Sequence, residues 1–149
     1  MSRLDGGLRR LLDAYGFDPT DLDGAGEHGL TPLMRAALLG REDWVEALLN
    51  RGVDVQTTND DGNSALWLAC VGNSEPIVRR LVAAGIDIDH ANAVGATTLM
   101  YVASSGKASL VRLLLELGAD AFVQNADGTR AGDMAATRDC LALLRHTLG

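Results

Sequence analysis

The organisation of the chain follows from residues Gly29–Val55, which read GLTPLMRAALLGREDWVEALLNRGVDV. The same spacing of residue types returns 33 positions later in Gly62–Ile88 and once more in Gly95–Ala121. Several sets of identical residues, called columns below, recur at this spacing. They are Gly29, Gly62, Gly95 and Gly128; Gly52, Gly85 and Gly118; Asp54, Asp87 and Asp120; Asn59, Asn92 and Asn125; and Leu33, Leu66 and Leu99. A fixed period of this length predicts a repeat array, in which each repeat is one small structural unit.

Each repeat is predicted to fold as two short helices. A hydroxyl residue that can cap the first helix stands before it, and these residues are Thr31, Ser64 and Thr97. Pro32 occupies the first helical position of its repeat, where no backbone N–H is needed. The second helix has a wide apolar stripe, which in the first repeat consists of Trp44, Val45, Leu48 and Leu49. A glycine ends each second helix, and these glycines are Gly52, Gly85 and Gly118.

With its TPL followed by a later LLNRGVD, the stretch Gly29–Val55 resembles an ankyrin repeat, whose family pattern is T-P-L-H-x-A and then L-L-x-x-G-A-D. Gly128–Leu148 resembles a truncated C-terminal repeat, and Leu11–Pro19 resembles the second half of a repeat. The resemblance implies an all-α ankyrin-repeat solenoid of helix-turn-helix units with β-hairpin-like finger loops. It divides a single domain, 1–149, into an N-terminal capping helix and linker (1–25), three repeats (26–58, 59–91 and 92–124) and a C-terminal capping repeat (125–149).

The sequence departs from the family pattern at two kinds of position. The family histidine is replaced in every repeat, by Met34, Trp67, Met100 and Asp133. In the last repeat Gly132 takes the place of the core leucine. Because glycine costs roughly 1 kcal/mol in helix propensity, we expect the first helix of that repeat to be the weakest.

Composition excludes several classes of function. The 149 residues include 13 Lys and Arg against 20 Asp and Glu, a net charge of −7, which argues against nucleic-acid binding. The longest run without charged residues is rich in Asn, Thr, Ser and Gly, so no membrane span is expected. Cys70 and Cys140 do not form a disulfide framework, which favours a reducing compartment, and we expect a cytoplasmic protein.

The sequence also contains no recognisable catalytic pattern. It has no G-x-S-x-G elbow, no phosphate-binding glycine loop, no H-E-x-x-H and no Cys-x-x-Cys. His28, His90 and His146 stand at unrelated positions of the repeat, which argues against a shared metal site. We therefore expect no enzyme activity, no cofactor and no metal.

The loops between the helix pairs are acidic. They contain no Lys or Arg, and their acidic residues are Asp18, Asp21, Asp23, Glu27, Asp54, Asp60, Asp61, Asp87, Asp89, Asp120 and Asp127. Asp54, Asp87 and Asp120 recur at one repeat position, where we expect them to bond to nearby backbone. The resemblance would gather the others along one rim, which would attract a basic partner. The alternative is that these acidic residues only keep the loops exposed to water and bind no partner.

The resemblance also implies a concave binding face made of finger tips and exposed positions of the first helices. The expected partner-binding residues are Glu27, His28, Leu30, Leu38, Leu39, Asp60, Asp61, Asn63, Trp67, Val71, Val94, Ala96, Met100, Ser104 and Asp127. Trp67, flanked by Met34 and Met100 in the neighbouring repeats, is either an exposed anchor or part of the interior. Trp44 stands in a column with Ile77 and Leu110, so it is expected in the core.

These observations predict a non-enzymatic protein-protein interaction module that binds a partner through the concave face and the acidic fingers. The partner would be a protein with a basic or mixed-polarity patch, and the module would act as an adaptor, inhibitor or stabilising subunit. We expect a monomer. The alternative is a structural ankyrin domain of a larger assembly, with no dedicated ligand on this face.

Overall fold

A computed structural model describes residues 6–148, with side chains up to residue 145. The chain divides into two compact units, Met1–Ile86 and Asp87–Gly149, called unit 1 and unit 2 below. Unit 1 contains the helices α1 (Gly6–Ala14), α2 (Pro32–Leu38), α3 (Glu42–Asn50), α4 (Ala65–Val71) and α5 (Glu75–Ala83), and a 3-10 turn over Glu27–Gly29. Unit 2 contains α6 (Thr98–Ser104), α7 (Ala108–Glu116), α8 (Ala131–Met134) and α9 (Arg138–Leu148). Over residues 6–148 the only extended pairings are two isolated β-bridges, Thr58–Ser64 and Ala91–Thr97.

The predicted signals mark the helix ends, with one exception. The Thr31 hydroxyl accepts a hydrogen bond from the Met34 N–H at 3.3 Å, and the Thr97 hydroxyl accepts one from the Met100 N–H at the same distance. Ser64 makes no such bond at the start of α4, so the expectation that it caps this helix through its side chain is wrong. The glycines that follow α3, α5 and α7 all have the predicted left-handed conformation, with φ of 77° at Gly52, 93° at Gly85 and 101° at Gly118.

The core lies between helices of successive repeats. In unit 1, α2 packs on α4 and α3 packs on α5; in unit 2, α6 packs on α8 and α7 packs on α9. The first helices are lined by small residues, and Ala36, Ala37, Ala69 and Cys70 are fully buried between them. The approach is closest at Gly72, where an added Cβ would lie 2.6 Å from the Leu38 carbonyl oxygen. A side chain at this position would therefore push α4 away from α2.

Both ends of the array differ from a full repeat. In α1, Leu8, Leu11 and Leu12 are buried, and the helix packs on α3 as the second half of a repeat would. The predicted capping helix began near Arg3, but its first residues, including Leu4, lie outside the described part of the chain. In unit 2, α8 has 4 residues where α6 has 7, as expected from a glycine at position 132.

We predict that Gly72→Ala lowers the free energy of unfolding by about 1–2 kcal/mol, because overpacking against a fixed carbonyl outweighs the entropy gained by replacing glycine. Gly72 has φ −79°, so the change tests packing and not backbone strain. Urea denaturation followed by circular dichroism measures the loss. The matched control is Gly6→Ala, where nothing lies within 4 Å of the added Cβ and stability should be unchanged or slightly raised. Equal effects of the two changes would contradict the close contact.

Candidate functional site: the finger loops and inner helix ends

Three finger loops are held in shape by the recurring asparagines. The Asn59 side-chain oxygen accepts hydrogen bonds from the backbone N–H of Asp61 and Asn63, both at 3.0 Å. The side-chain oxygens of Asn92 and Asn125 accept the same pair of bonds at 2.9–3.1 Å, from the backbone N–H groups two and four residues after each asparagine. Because one side chain fixes two backbone groups of the turn, the residues at the tip are left to face solvent. The 33-residue asparagine column in the sequence was the signal for this role.

The first finger closes without an asparagine. Gly26 holds that position, and its N–H donates to the Leu30 carbonyl at 2.8 Å. His28 at the tip adopts a left-handed conformation with φ 61°. The Asp60 N–H donates to the His28 carbonyl at 3.3 Å, so the tips of the first and second fingers are adjacent.

Four exposed residues meet where these two fingers touch: Glu27, His28, Asp60 and Asp61. We call them the fingertip cluster. Glu27 and His28 approach to 3.5 Å and are more than three-quarters exposed. Over the described part of the chain, Asp60 and Asp61 form no ion pair. Two carboxylates of the cluster are thus left without an ion-pair partner among the described residues.

Two predicted tip residues lie in the interior. Leu30 is 6% exposed and Asn63 is 8% exposed, so the expectation that their side chains face a partner is wrong. Each residue closes its finger, since its carbonyl accepts a bond from the first residue of the loop, Gly26 or Asn59. Each also directly precedes the buried residue that begins the following helix, which turns the chain inward.

For the row of Met34, Trp67 and Met100, both an exposed and an interior position were open; the two methionines lie in the interior, so the expectation that Met100 contacts a partner is wrong. Met34 and Met100 are buried, at 0% and 1% exposure. The Met100 sulfur accepts a bond from the Thr97 N–H at 3.5 Å, which holds the side chain against the start of α6. Trp67 is half-buried in the first turn of α4, so it is neither a free anchor nor a fully enclosed core residue.

A second surface lies at the C-terminal ends of α2 and α4. Leu39 is 44% exposed, Val71 is 38% exposed and Leu38 is half-buried. We call these three residues the helix-end patch. The contact of Gly72 with Leu38 brings the two helix ends together. The finger precedes α2 and the patch follows it, so this 7-residue helix separates the two surfaces by about 10 Å.

The predicted positions in unit 2 form a less acidic set. Val94, at 67%, is the most exposed large apolar residue of the described chain. Ser104 and Asp127 are exposed, and Ala96 is half-buried. An added Cβ on Gly95 would meet the backbone of Asn125 and Ala126, so the third and fourth finger tips are neighbours.

The recurring aspartates have the expected structural role. The carboxylates of Asp54, Asp87 and Asp120 each accept a bond from the backbone N–H two residues on, at 2.9, 3.0 and 2.8 Å. Asp18 bonds in the same way to Thr20, and these bonds, the hydroxyl bond above all, lower the pKa of the Asp18 carboxyl.

Two further acids tie one repeat to the next, which the sequence analysis missed. The carboxylate of Asp23 accepts a bond from the Asp54 N–H, and that of Asp89 accepts one from the Asp120 N–H, both at 2.8 Å. Gln56 occupies the same repeat position as Asp23 and Asp89 in the repeat between them. Its side-chain amide N–H donates to the Gly85 carbonyl at 2.8 Å. The 33-residue spacing of these three polar residues was the available signal. The fingertip acids are therefore distinct from the acids that stabilise the fold.

Arg80 on α5 and Arg41, the residue before α3, are engaged with acids. Arg80 lies 2.8 Å from Glu42 and 3.7 Å from Glu46, and the hydrogen bond that it donates to Glu42 raises the pKa of the Arg80 guanidinium. Arg41 bonds to Asp43 at 2.9 Å, and this bond lowers the pKa of the Asp43 carboxyl. Arg41 also stacks over the ring of Trp44, which is 9% exposed and lies in the core as predicted. Asp60 and Asp61 at the finger tips take no part in these pairs.

A comparison with known protein families detects the same repeat. The family model described as "Ankyrin repeats (3 copies)" matches residues 4–92, 33–127 and 72–147. The chain belongs to the ankyrin-repeat family. The predicted all-α ankyrin fold is confirmed. No curated protein matches the chain.

Ankyrin repeats are generally protein-protein interaction modules, and the family is typically non-catalytic. Within the described part of this ankyrin-repeat chain, no three His, Cys, Asp or Glu side chains come together as metal ligands. No described helix has the length and apolar character that crossing a membrane requires. Cys70 and Cys140 are both buried, and neither forms a disulfide within the described residues.

We predict that Asp89→Ala lowers the free energy of unfolding by about 1–3 kcal/mol, because a charge-assisted bond between repeats is lost and the Asp120 N–H loses its acceptor. Asp127→Ala is the matched control, since this exposed carboxylate makes no side-chain bond within the described residues, and its effect should stay within about 0.5 kcal/mol. Thermal and urea unfolding of the two variants measure the difference. A loss of stability in Asp127→Ala as large as that in Asp89→Ala would contradict the division of the acids into two groups.

Proposed function

We propose that this ankyrin-repeat chain is a non-enzymatic protein-binding module that recognises a partner through the fingertip cluster, Trp67 and the helix-end patch of unit 1. One observation supports this proposal most directly. The carboxylates of Asp60 and Asp61, which form no ion pair within the described residues, lie about 10 Å, the length of α2, from the exposed aliphatic side chains of the helix-end patch. The partner is a protein whose surface combines basic residues with an apolar contact.

The acidic part of the surface supplies attraction and orientation. Asp60 and Asp61 project from a turn that Asn59 has already fixed, so little conformational entropy is lost when they meet a cation. Exposed charges at the edge of an interface mainly raise the association rate and weaken with added salt. The proposal therefore requires binding that depends on ionic strength.

The apolar part supplies the buried contact. Leu39 and Val71 are exposed at the point where Gly72 brings α2 and α4 together, and Trp67 is half-buried on α4. Tryptophan is enriched among residues that dominate binding energy, and it needs surrounding contacts that exclude water. Val71 lies one turn after Trp67 on the same face of α4 and provides such a contact in our proposal.

In the proposed role, the protein acts as a cytoplasmic monomer and serves as an adaptor, inhibitor or stabilising subunit of its partner. Two buried cysteines that form no disulfide within the described residues support a reducing compartment. The exposed positions of unit 2, Val94, Ser104 and Asp127, together with the half-buried Ala96, are a second proposed contact area whose finger tip has fewer acids.

The test is capture of partners from a lysate of the source organism by the immobilised full chain, followed by pairwise binding measurements with each purified partner. The variant Asp60→Lys/Asp61→Lys should raise the dissociation constant of the complex at least about tenfold, which corresponds to about 1.4 kcal/mol. Leu39→Ser/Val71→Ser should raise the dissociation constant to a similar degree without changing the salt dependence of binding.

The matched control is Asp13→Lys/Glu75→Lys, which makes the same change in net charge at exposed positions on α1 and α5. Circular dichroism establishes that all variants are equally folded. If the control weakens binding as much as the fingertip variant, the effect is one of net charge and the proposed surface is wrong. A lysate from which no protein is retained would favour a structural domain without a ligand on this face.

A further inference from the structure

Unit 2 contains a hollow where the other repeats contain a leucine. Leu33, Leu66 and Leu99 occupy one repeat position and are 1%, 0% and 1% exposed. Gly132 occupies this position in the last repeat, and a hollow of about 230 Å³ lies beside it between α8 and α9. The residues that line the hollow are Arg130, Gly132, Asp133, Leu141 and Arg145. Among the described side chains, which end at residue 145, none fills the place of the missing leucine.

The rim of this hollow is positively charged. Neither Arg130 nor Arg145 forms an ion pair within the described residues, and the Arg130 guanidinium lies 5.8 Å from the centroid of the Phe122 ring. One oxygen of the third charged group, Asp133, accepts a bond from the Arg130 N–H at 3.1 Å and is thereby held at the start of α8. Two guanidinium groups against one engaged carboxylate leave a net positive rim on a chain of net charge −7.

We propose that the hollow binds the C-terminal residue of a partner chain, with a leucine-sized side chain in the place of the missing leucine and the terminal carboxylate on the rim arginines. The side chain would contact Leu141 and the open face of Gly132. The carboxylate would accept bonds from Arg145 and Arg130, since a guanidinium fits a carboxylate in a bidentate geometry. This site is separate from the surface of unit 1 and does not depend on the proposed function.

A chain terminus fits the site better than an internal acidic residue does. The hollow has room for one aliphatic side chain, and the arginines border it directly. In a C-terminal residue, the side chain and the carboxylate are attached to the same Cα, so both reach their contacts at once. An internal Asp or Glu has a carboxylate for the arginines but no aliphatic side chain of its own, so it would leave the contact with Leu141 unmade.

Two small probes test the chemistry of the site on the full chain. N-acetyl-L-leucine has the side chain and the free carboxylate, and N-acetyl-L-leucinamide has the same side chain without the charge. In two-dimensional amide NMR titrations, we expect both to shift Gly132, Leu141 and Arg145. The acid should bind with a dissociation constant on the order of millimolar and at least about threefold tighter than the amide.

Variants separate the apolar contact from the charge. Gly132→Leu fills the hollow, so it should weaken binding of both probes at least about tenfold while raising the midpoint of thermal unfolding. Arg145→Gln should leave binding of the amide unchanged and remove most of the preference for the acid. The matched control Arg138→Gln, an exposed arginine of α9 outside the hollow, should preserve that preference. The amide spectrum of each variant shows whether it is folded.

Three results would overturn the proposal. Undiminished binding of N-acetyl-L-leucine to folded Gly132→Leu would place the site elsewhere. Equal affinity of wild type for the acid and the amide would remove the role of the arginines. Shifts of the same amides that depend on protein concentration alone would show that a second copy of this chain occupies the hollow.

Discussion

The helices of this protein are too short to be stable alone, and the rest of the structure depends on that constraint. The first helices of the three full repeats have 7 residues and the second helices have 9. Isolated helices of this length are not stable in water, because the unfavourable free energy of helix nucleation exceeds the favourable free energy of a few hydrogen bonds. Each helix must therefore bury its apolar stripe against a helix of the neighbouring repeat. This need explains the small residues between α2 and α4 and the glycine at position 72.

The same constraint separates residues that build the fold from residues that can serve a partner. Contacts between repeats use fixed positions: the alanines of the first helices, the Asn59 column in the fingers, and the bonds that Asp23 and Asp89 accept from the following repeat. Exposed side chains at the finger tips and helix ends, such as those of Asp61 and Leu39, take no part in these contacts, so they can vary without loss of the fold. Aspartate occurs in both groups, and only its hydrogen bonds reveal which function it has.

Much of the fold could be predicted from the 33-residue columns, because caps, glycine turns and apolar stripes are local features. The left-handed glycines and the core position of Trp44 were predicted in this way. The burial of Leu30 and Met100 was not, since the direction of a side chain depends on how its turn closes. The bond from Asp89 to the Asp120 N–H joins residues 31 positions apart, so only a three-dimensional arrangement brings them together. For the site, sequence indicated the acidic fingers but not which acids were already engaged.

The proposed function requires that a protein partner contacts the unit 1 surface. Site-specific photo-crosslinking can detect this contact, with a photoreactive amino acid placed in turn at Asp61, at Leu39 and at Ala83, an exposed residue in the last turn of α5. We expect one partner protein to be crosslinked from Asp61 and from Leu39 but not from Ala83. Crosslinking to that partner from Ala83 alone, or from none of the three positions while the complex still forms, would contradict it.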